Sequence, residues 1–468
     1  MDVLLVNSTW KYGQIARGIQ FFPPIGLNYL AGSLERENLK VGIVDLGAQP
    51  FTVEDLNDLI KRENVRLVGF SSISPQIHTT MRFVRAIRDR FKDEVSIALG
   101  GFHLSNDPDF IDRYPEIDFG VIGDGDITFV DLAKKTLGGE KIKGVFKGEL
   151  TESLDDLPPP AYHLTPLERY KDLGLSFYPL LGTRGCPFDC VFCSRAFMSR
   201  KVRFRSPQFL IEEMERSYDL FGGHYVFLDE SFTLRRRHVL EFCQLIKDWG
   251  KKITWNAGAL RLDQVDEELM TQMWESGCRG FFVGVESGSE RVRNQIIGKN
   301  VTDEQMYNAF RIFDKLGMNV ELSFVLGNPT ETEEELKQTV YLPVKLKKMG
   351  FKCISQIGFK IAVPMPGSRL WNIAIEEGKI PENFIDRYIN YEFGEDFWRV
   401  WPKYAPDGMT VDTLRYYRKK GNLAYYLRPE YVARRLLKSI TNFHQLKSDF
   451  KEMMSMLKTG HSTVSMTD

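Results

Sequence analysis

At 468 residues the chain exceeds what one hydrophobic core ordinarily spans, so two or three domains are expected. Its 62 Lys plus Arg and 63 Asp plus Glu leave a formal net charge of −1, which excludes a whole-molecule field directed at nucleic acid or an anionic membrane. Six cysteines are too few for a disulfide framework in a chain of this length, and three of them crowd together in a metal-site pattern.

The N-terminus, Met1-Asp2-Val3-Leu4-Leu5-Val6-Asn7, has no basic segment before its apolar run, and that run is too short for a signal peptide core or a membrane span. A cytoplasmic protein without a transmembrane segment is expected. Residues 3–6, 41–44, 67–70, 95–99 and 119–122 read as strands, and residues 26–37 and 79–91 carry apolar side chains at helical spacing. Such alternation builds a doubly wound parallel sheet, flavodoxin-like or Rossmann-like, over residues 1–150. Leu154-Asp155-Asp156-Leu157-Pro158-Pro159-Pro160 interrupts the pattern, because consecutive prolines lack backbone donors and favour extended chain. Residues 151–177 are therefore a linker.

A second alternating series follows, with strands at residues 180–183, 225–228, 254–257, 280–285, 320–326 and 354–361. Helical patterns at 207–220, 238–249, 266–276, 303–316 and 332–349 separate them. Six βα units over residues 178–379 predict a partial (β/α)6 barrel, open on one side for a large substrate. Residues 380–468 form a tail that is irregular and aromatic-rich, then helical and basic near residues 427–438. Arg418-Lys419-Lys420-Gly421, Tyr425-Tyr426-Leu427-Arg428-Pro429 and Arg434-Arg435-Leu436-Leu437-Lys438 fit a helical cap on the barrel better than a membrane-surface segment, since snorkelling bases are ordinary on a solvated helix. Residues after Lys458 are expected to be disordered.

The chemistry lies in Cys186-Pro187-Phe188-Asp189-Cys190-Val191-Phe192-Cys193, directly after Gly182-Thr183-Arg184-Gly185. Three thiolates on one loop can each bind one iron of a cubane and leave the fourth iron open to chelate a substrate. A structural zinc site would need a fourth ligand, for which His163 and Cys243 are the candidates, and buried thiols are the other alternative. Cys243, Cys278 and Cys353 read as small buried hydrophobes.

The spacing CxxxCxΦC, with Phe192 as the aromatic residue, resembles the signature of the radical SAM superfamily. The resemblance implies a [4Fe–4S] cluster on Cys186, Cys190 and Cys193, S-adenosylmethionine chelated at the open iron, and a 5′-deoxyadenosyl radical that abstracts hydrogen. Further segments are similar to those relatives in order and spacing. Leu228-Asp229-Glu230-Ser231 stands where the family receives the amino end of methionine, although the usual Gly-Gly-Glu is absent, and a carboxylate there complements an ammonium. Arg261 matches a position near the cofactor's carboxylate or ribose, Glu286 and Ser287 match polar contacts to the cofactor, and Leu326-Gly327-Asn328-Pro329-Thr330-Glu331 matches the turn beside adenine. A surface ion pair or helix cap is the alternative at each position, and Thr330 and Thr332 before Glu333 also read as an N-cap.

The first domain resembles the cobalamin-binding modules that precede the radical domain in the B12-dependent branch, which extends the likeness over residues 1–370. Its carriers are Pro23-Pro24-Ile25-Gly26-Leu27, Ser71-Ser72, Gly100-Gly101-Phe102-His103 and Gly123-Asp124-Gly125-Asp126, all at predicted carboxyl ends of strands, where open α/β sheets bind ligands. Ser72, Gly100, Gly101, Gly123 and Gly125 are thereby implied cobalamin contacts, with glycine admitting close approach of a macrocycle. The cobalt-ligating string D-x-H-x-x-G is missing, which predicts cobalamin held with no protein histidine on cobalt. His78 and His103 are the histidines to check, and a flavodoxin-like domain that only shapes the substrate cavity is the alternative.

The resemblance implies an enzyme that methylates an unactivated carbon of a small-molecule, lipid, tetrapyrrole or peptide substrate, with a flavodoxin or ferredoxin-type electron donor and no nucleic acid. Radical rearrangement, oxidation or ring formation, as in the anaerobic cyclase that makes the fifth ring of bacteriochlorophyll, is the rival chemistry. A non-catalytic iron–sulfur redox or binding protein is the rival class.

Overall fold

The structure, a computed structural model, describes residues 1–9, 12, 22–194, 199–390 and 400–433. Short apolar runs become the strands of a first parallel sheet: β1 (Val3–Asn7), β2 (Val41–Asp45), β3 (Leu67–Ser71), β4 (Ser96–Gly100), β5 (Phe119–Ile122) and β6 (Gly144–Lys147). Their order is β2-β1-β3-β4-β5-β6, so the winding reverses between β1 and β3 and opens a crevice at the carboxyl ends. Asn7 pairs with Asp45 and Ser71, and Ser71 with Gly100, which brings four strand ends level along that crevice. The sequence pattern does not show β6. Gly144-Val145-Phe146-Lys147 is a half-buried edge strand with no apolar run.

The prolines of the linker do not leave a loose tether. Arg205 donates to the carbonyls of Leu154, Leu157 and Pro158 at 2.8, 3.1 and 3.1 Å, which satisfies acceptors that a proline-rich segment cannot pair in a ladder. The helix Ile25–Arg36 holds the far side, where the Asn28 carbonyl accepts from Ala161 N–H at 2.9 Å and its side-chain oxygen accepts from the Thr165 hydroxyl at 2.7 Å.

The second sheet runs β7 (Tyr178–Leu180), β10 (His224–Phe227), β11 (Thr254–Leu260), β12 (Cys278–Glu286), β13 (Asn319–Leu326) and β14 (Ile354–Ile361), all parallel and in sequential order. Between the first two lies a small antiparallel hairpin of β8 (Thr183–Arg184) and β9 (Arg203–Phe204). The expected strand at residues 180–183 is therefore two elements: the barrel strand ends at Leu180, and Thr183 belongs to the hairpin. Two-residue strands have no periodicity to detect. The helices stand within one or two residues of expectation, as in Asp303–Leu316 with its Thr302/Gln305 capping box.

The tail is helical as expected, and helix also takes its aromatic part, which the pattern reads as irregular: Arg369–Glu376 leads into it, and Phe384–Ile389 and Val411–Tyr426 lie within it. The last of these seals the free edge of β14. The Tyr426 hydroxyl donates to the Ile357 carbonyl at 2.6 Å and accepts from its N–H at 2.9 Å, and Tyr425 donates to Ile354 O at 3.0 Å. The aromatic part of the tail packs on the first domain instead. Trp371, Phe384, Tyr388 and Trp401 share one core with Phe83, Val84 and Ile87 of the helix Ile77–Phe91, and the Tyr388 hydroxyl donates to Pro75 O at 2.7 Å. Among the described residues no helix is long and apolar enough to cross a membrane. Residues 434–468, which include the basic run at Arg434–Lys438 and the segment after Lys458, lie outside the described residues.

Candidate active site

The cysteine loop leaves β8 through Gly185, whose φ of +107° favours glycine; a Cβ there would stand 2.7 Å from the carbonyls of Ser199 and Lys201. Cys186 N–H donates to Ser199 O at 3.0 Å, Val191 N–H to Ile297 O at 3.1 Å, and Leu370 N–H to Val191 O at 2.9 Å. The loop is thus clamped by backbone bonds from three directions. A small apolar knot of Val191, Val292 and Ile297 anchors it from below, with Phe192 packed alongside. Cys186, Cys190 and Cys193 are of intermediate accessibility, whereas Cys243, Cys278 and Cys353 are buried.

No group of three or more His, Cys, Asp or Glu side chains among the described residues converges on a single metal ion. The three thiolate ligands of a cubane each meet a different iron, whereas a zinc cage needs all its ligands on one ion. His163 is exposed and pairs with Glu35 at 2.9 Å, and Cys243 is core, so neither joins the loop.

Beside the loop stand the expected residues of β11 and β12. Arg261, at the end of β11, lies 3.7 Å from the centre of the Phe188 ring, makes a bidentate pair with Asp263 at 3.0 Å on both arms, and donates to Lys299 O. Its guanidinium ties the cysteine loop to the barrel rim. Glu286 ends β12 after a register shift against β13 and has a φ of +66°, rare for a non-glycine residue; a bulge of this kind re-aims a side chain. It pairs with Lys299 at 3.2 Å, and both charges, with Arg261, act on Cys190. Sequence patterning had not singled out Lys299, Asp263 or Phe188, because each acts through a contact between distant segments.

The other expected residues take supporting places. Asp229 is buried and accepts from Gly182 N–H at 3.0 Å, and burial pushes its carboxyl up to about 7. Ser287 is fully buried against Thr339, with hydroxyl oxygens 3.0 Å apart, and Thr330 is an exposed turn residue whose carbonyl accepts from Arg291 at 2.8 Å. Glu230, one residue beyond Asp229, opens into a cavity, and desolvation raises its carboxyl.

That cavity, of about 330 Å³, joins the two sheets. Ser71, Gly100, Gly101, Gly123 and Gly125 line it from the first sheet, and Leu181, Thr183, Arg184, Gly185, Leu228 and Glu230 from the second. Side chains at Gly123 would meet nothing within 4 Å, so this wall is open to a bulky ligand, while Gly101 at φ +87° fits only because it lacks a Cβ, which would lie 2.8 Å from the Ser72 backbone. Ser71 rather than Ser72 faces the space: the Ser72 hydroxyl donates to Ile73 O at 3.1 Å and accepts from Thr80. Neither histidine lines it. His103 is fully buried against Ser74 and Phe110, and His78 packs on Tyr388; burial lowers their imidazoles to about 3 and about 4, so both stay neutral. The glycine wall offers the close backbone approach that a cobalamin macrocycle needs, and both histidines lie outside it.

Both domains of the chain are similar to known proteins. Residues 180–342 match the radical SAM superfamily and residues 18–133 the B12 binding domain. An uncharacterized methyltransferase of Pyrococcus horikoshii is 30% identical, covering 90% of this chain and 91% of its own. Cytidylyl-2-hydroxyethylphosphonate methyltransferase of Streptomyces wedmorensis is 26% identical over 79% and 81% of the two chains. The radical S-adenosylmethionine methyltransferase TsrM of Kitasatospora setae, solved with cobalamin and a [4Fe–4S] cluster bound, superposes with a TM-score of 0.68 at 17% identity over 92% and 90%. The chain belongs to the cobalamin-dependent radical SAM methyltransferase family, whose cofactors are a [4Fe–4S] cluster, S-adenosylmethionine and cobalamin.

Proposed function

We propose that this enzyme methylates an unactivated carbon of a small molecule held between the glycine-walled cavity and the mouth of the barrel. One observation carries the proposal: a single cavity is lined both by the strand ends of the first sheet and by Arg184 and Gly185, the residues that lead directly into Cys186. Two cofactors placed on its two sides would both reach one substrate, as transfer between them requires. When bound, the cluster with S-adenosylmethionine supplies hydrogen abstraction and cobalamin supplies a methyl group.

The chain's own part is to hold and orient. Cys186, Cys190 and Cys193 are assigned as cluster ligands, and Gly100, Gly101, Gly123 and Gly125 as the cobalamin wall. Glu286 and Lys299 offer an opposite-charge pair to the zwitterionic methionine end of S-adenosylmethionine, while Arg261 keeps the loop in register with them. Asp229, Ser287, Thr330 and Ser72 act behind that surface by fixing backbone. Glu230 lines the cavity and can accept hydrogen bonds from a substrate's donors. A cytoplasmic setting and a flavodoxin or ferredoxin-type reductant complete the proposal.

An anaerobically reconstituted protein, given cobalamin, reductant and methyl-labelled S-adenosylmethionine, is incubated with a low-mass extract from a deletion strain, where the unmethylated precursor accumulates. Labelled product, S-adenosylhomocysteine and 5′-deoxyadenosine are expected together. 5′-Deoxyadenosine without S-adenosylhomocysteine or labelled product would replace methylation by ring formation, oxidation or rearrangement.

A further inference from the structure

The Gly123-Asp124-Gly125-Asp126 turn of the first sheet meets the β8–β9 hairpin of the barrel in a buried cluster of four charges. Arg184 contacts Asp126 through both terminal nitrogens, at 2.5 and 3.3 Å, and lies 3.4 Å from Asp124. Arg203, paired with Arg184 across the hairpin, reaches Asp124 at 2.5 Å. Side-chain accessibilities are 15% and 2% for the arginines and 19% and 7% for the aspartates. Tyr29 of the first domain lies 5.0 Å from the Arg184 guanidinium and 4.9 Å from that of Arg205, so an aromatic face backs the cluster.

Two cations and two carboxylates cancel, but a buried ion cluster contributes little net stability compared with apolar packing of the same volume. Its placement explains it better. Asp124, Asp126 and Arg184 all line the cavity, Gly125 is held between the two anchored carboxylates, and Arg184 stands two residues before Cys186. Arg184 and Arg203 are positioning residues in this arrangement, since they act through the cysteine loop and the glycine turn.

We infer that this clamp couples the two cofactor sites: ordering of the Cys186 loop by its cluster pre-forms the glycine turn for cobalamin, and cobalamin in turn steadies the loop. The inference rests on the cavity being the cobalamin site. When one ligand has already ordered a shared element, the second meets a smaller entropy cost, and the effect is reciprocal.

The full-length protein is titrated anaerobically with hydroxocobalamin in its iron-free and cluster-loaded forms, followed by absorbance. Cluster loading should tighten cobalamin about tenfold. In the double variant Asp126→Asn/Arg184→Gln, which removes opposite charges together and leaves no buried ion unpaired, the ratio should fall within about twofold. The change that cobalamin produces in the electron paramagnetic resonance spectrum of the reduced cluster should vanish in the same variant, a readout that loss of general stability would not move. Equal affinity in the two wild-type forms overturns the inference without needing a variant. So does a ratio that survives in the double variant with wild-type iron content and melting temperature. Failure of both wild-type forms to take up cobalamin would instead remove the proposed function's cobalamin site.

Discussion

The two parallel sheets use the same strand-helix alternation to make opposite kinds of site. In the first, the order β2-β1-β3-β4-β5-β6 reverses beside β1, and the ligand surface is a shallow row of glycines along one edge. In the second, β7-β10-β11-β12-β13-β14 never reverses, so the sheet curls, and its functional side chains rise from strand ends and from the hairpin loop. A reversal leaves room for a wide flat molecule; a curl gathers charged groups about a centre. The glycine wall excludes side chains to admit a ligand, whereas the barrel rim holds Glu286, Lys299 and Arg261 together through their mutual contacts.

The sharpest division would come from replacing Cys186, Cys190 and Cys193 together with Ala. Iron should fall from about four per chain to none, and S-adenosylmethionine cleavage with it, while cobalamin is still taken up. Iron analysis and absorbance on one sample decide this, and retention of iron would break the assignment. Substitutions of Cys243, Cys278 or Cys353 should leave iron unchanged.

At the rim, Arg261→Ala removes the stack on Phe188 and the pair with Asp263. Cleavage of S-adenosylmethionine should drop about 10–100-fold, as for residues that orient a metal site's ligands, with iron content kept. In the first sheet, Gly101→Val places a branched side chain at φ +87° against the Ser72 backbone. That substitution should destabilise by about 1–3 kcal/mol and abolish cobalamin uptake while iron remains. His103→Gln should leave the cobalamin spectrum unchanged, because this ring does not face the cavity.

The smallest effect belongs to the seam between the sheets. Glu213, on the helix Pro207–Ser217, is buried near Tyr178, and desolvation pushes its carboxyl up to about 7. An unfolded carboxyl ionises near 4.5, so ionisation favours the unfolded chain increasingly from there to about 7, and stability falls over that range and stays low above it. Glu213→Gln should therefore raise the melting temperature at pH 8, by on the order of 1–2 kcal/mol in stability, and not at pH 4.5. An equal change at both pH values would remove Glu213 as the cause.

Most of the fold was legible because buried parallel strands are apolar runs and their crossover helices carry a 3.6-residue period, as at residues 303–316. β6 and the β8–β9 hairpin lacked those signals. The cysteine loop was legible from spacing alone, and the glycine row from its place at strand ends. What distinguishes Ser71 from Ser72, or turns Ser287 toward Thr339, is the direction of one side chain at a bend, which a local pattern does not encode. The pairs Arg184–Asp126 and Glu286–Lys299 were equally hidden, the first because its members lie 58 residues apart in the chain, the second because one loop lysine reads like any other in a sequence.

The aromatic segment that closes the core of the first domain also sets a timetable for synthesis. Pro75 and Tyr388, joined by a hydrogen bond, are separated by 313 residues, so at a translation rate of about 5–20 residues per second the ribosome delivers the second partner roughly 15–60 s after the first. Through that interval the core that Phe83, Val84 and Ile87 of the helix Ile77–Phe91 share with Trp371, Phe384, Tyr388 and Trp401 is incomplete, a sticky surface for chaperones and for neighbouring nascent chains. Any expression strategy that slows elongation downstream of the barrel, or ends the chain before Trp401, lengthens that exposure or makes it permanent.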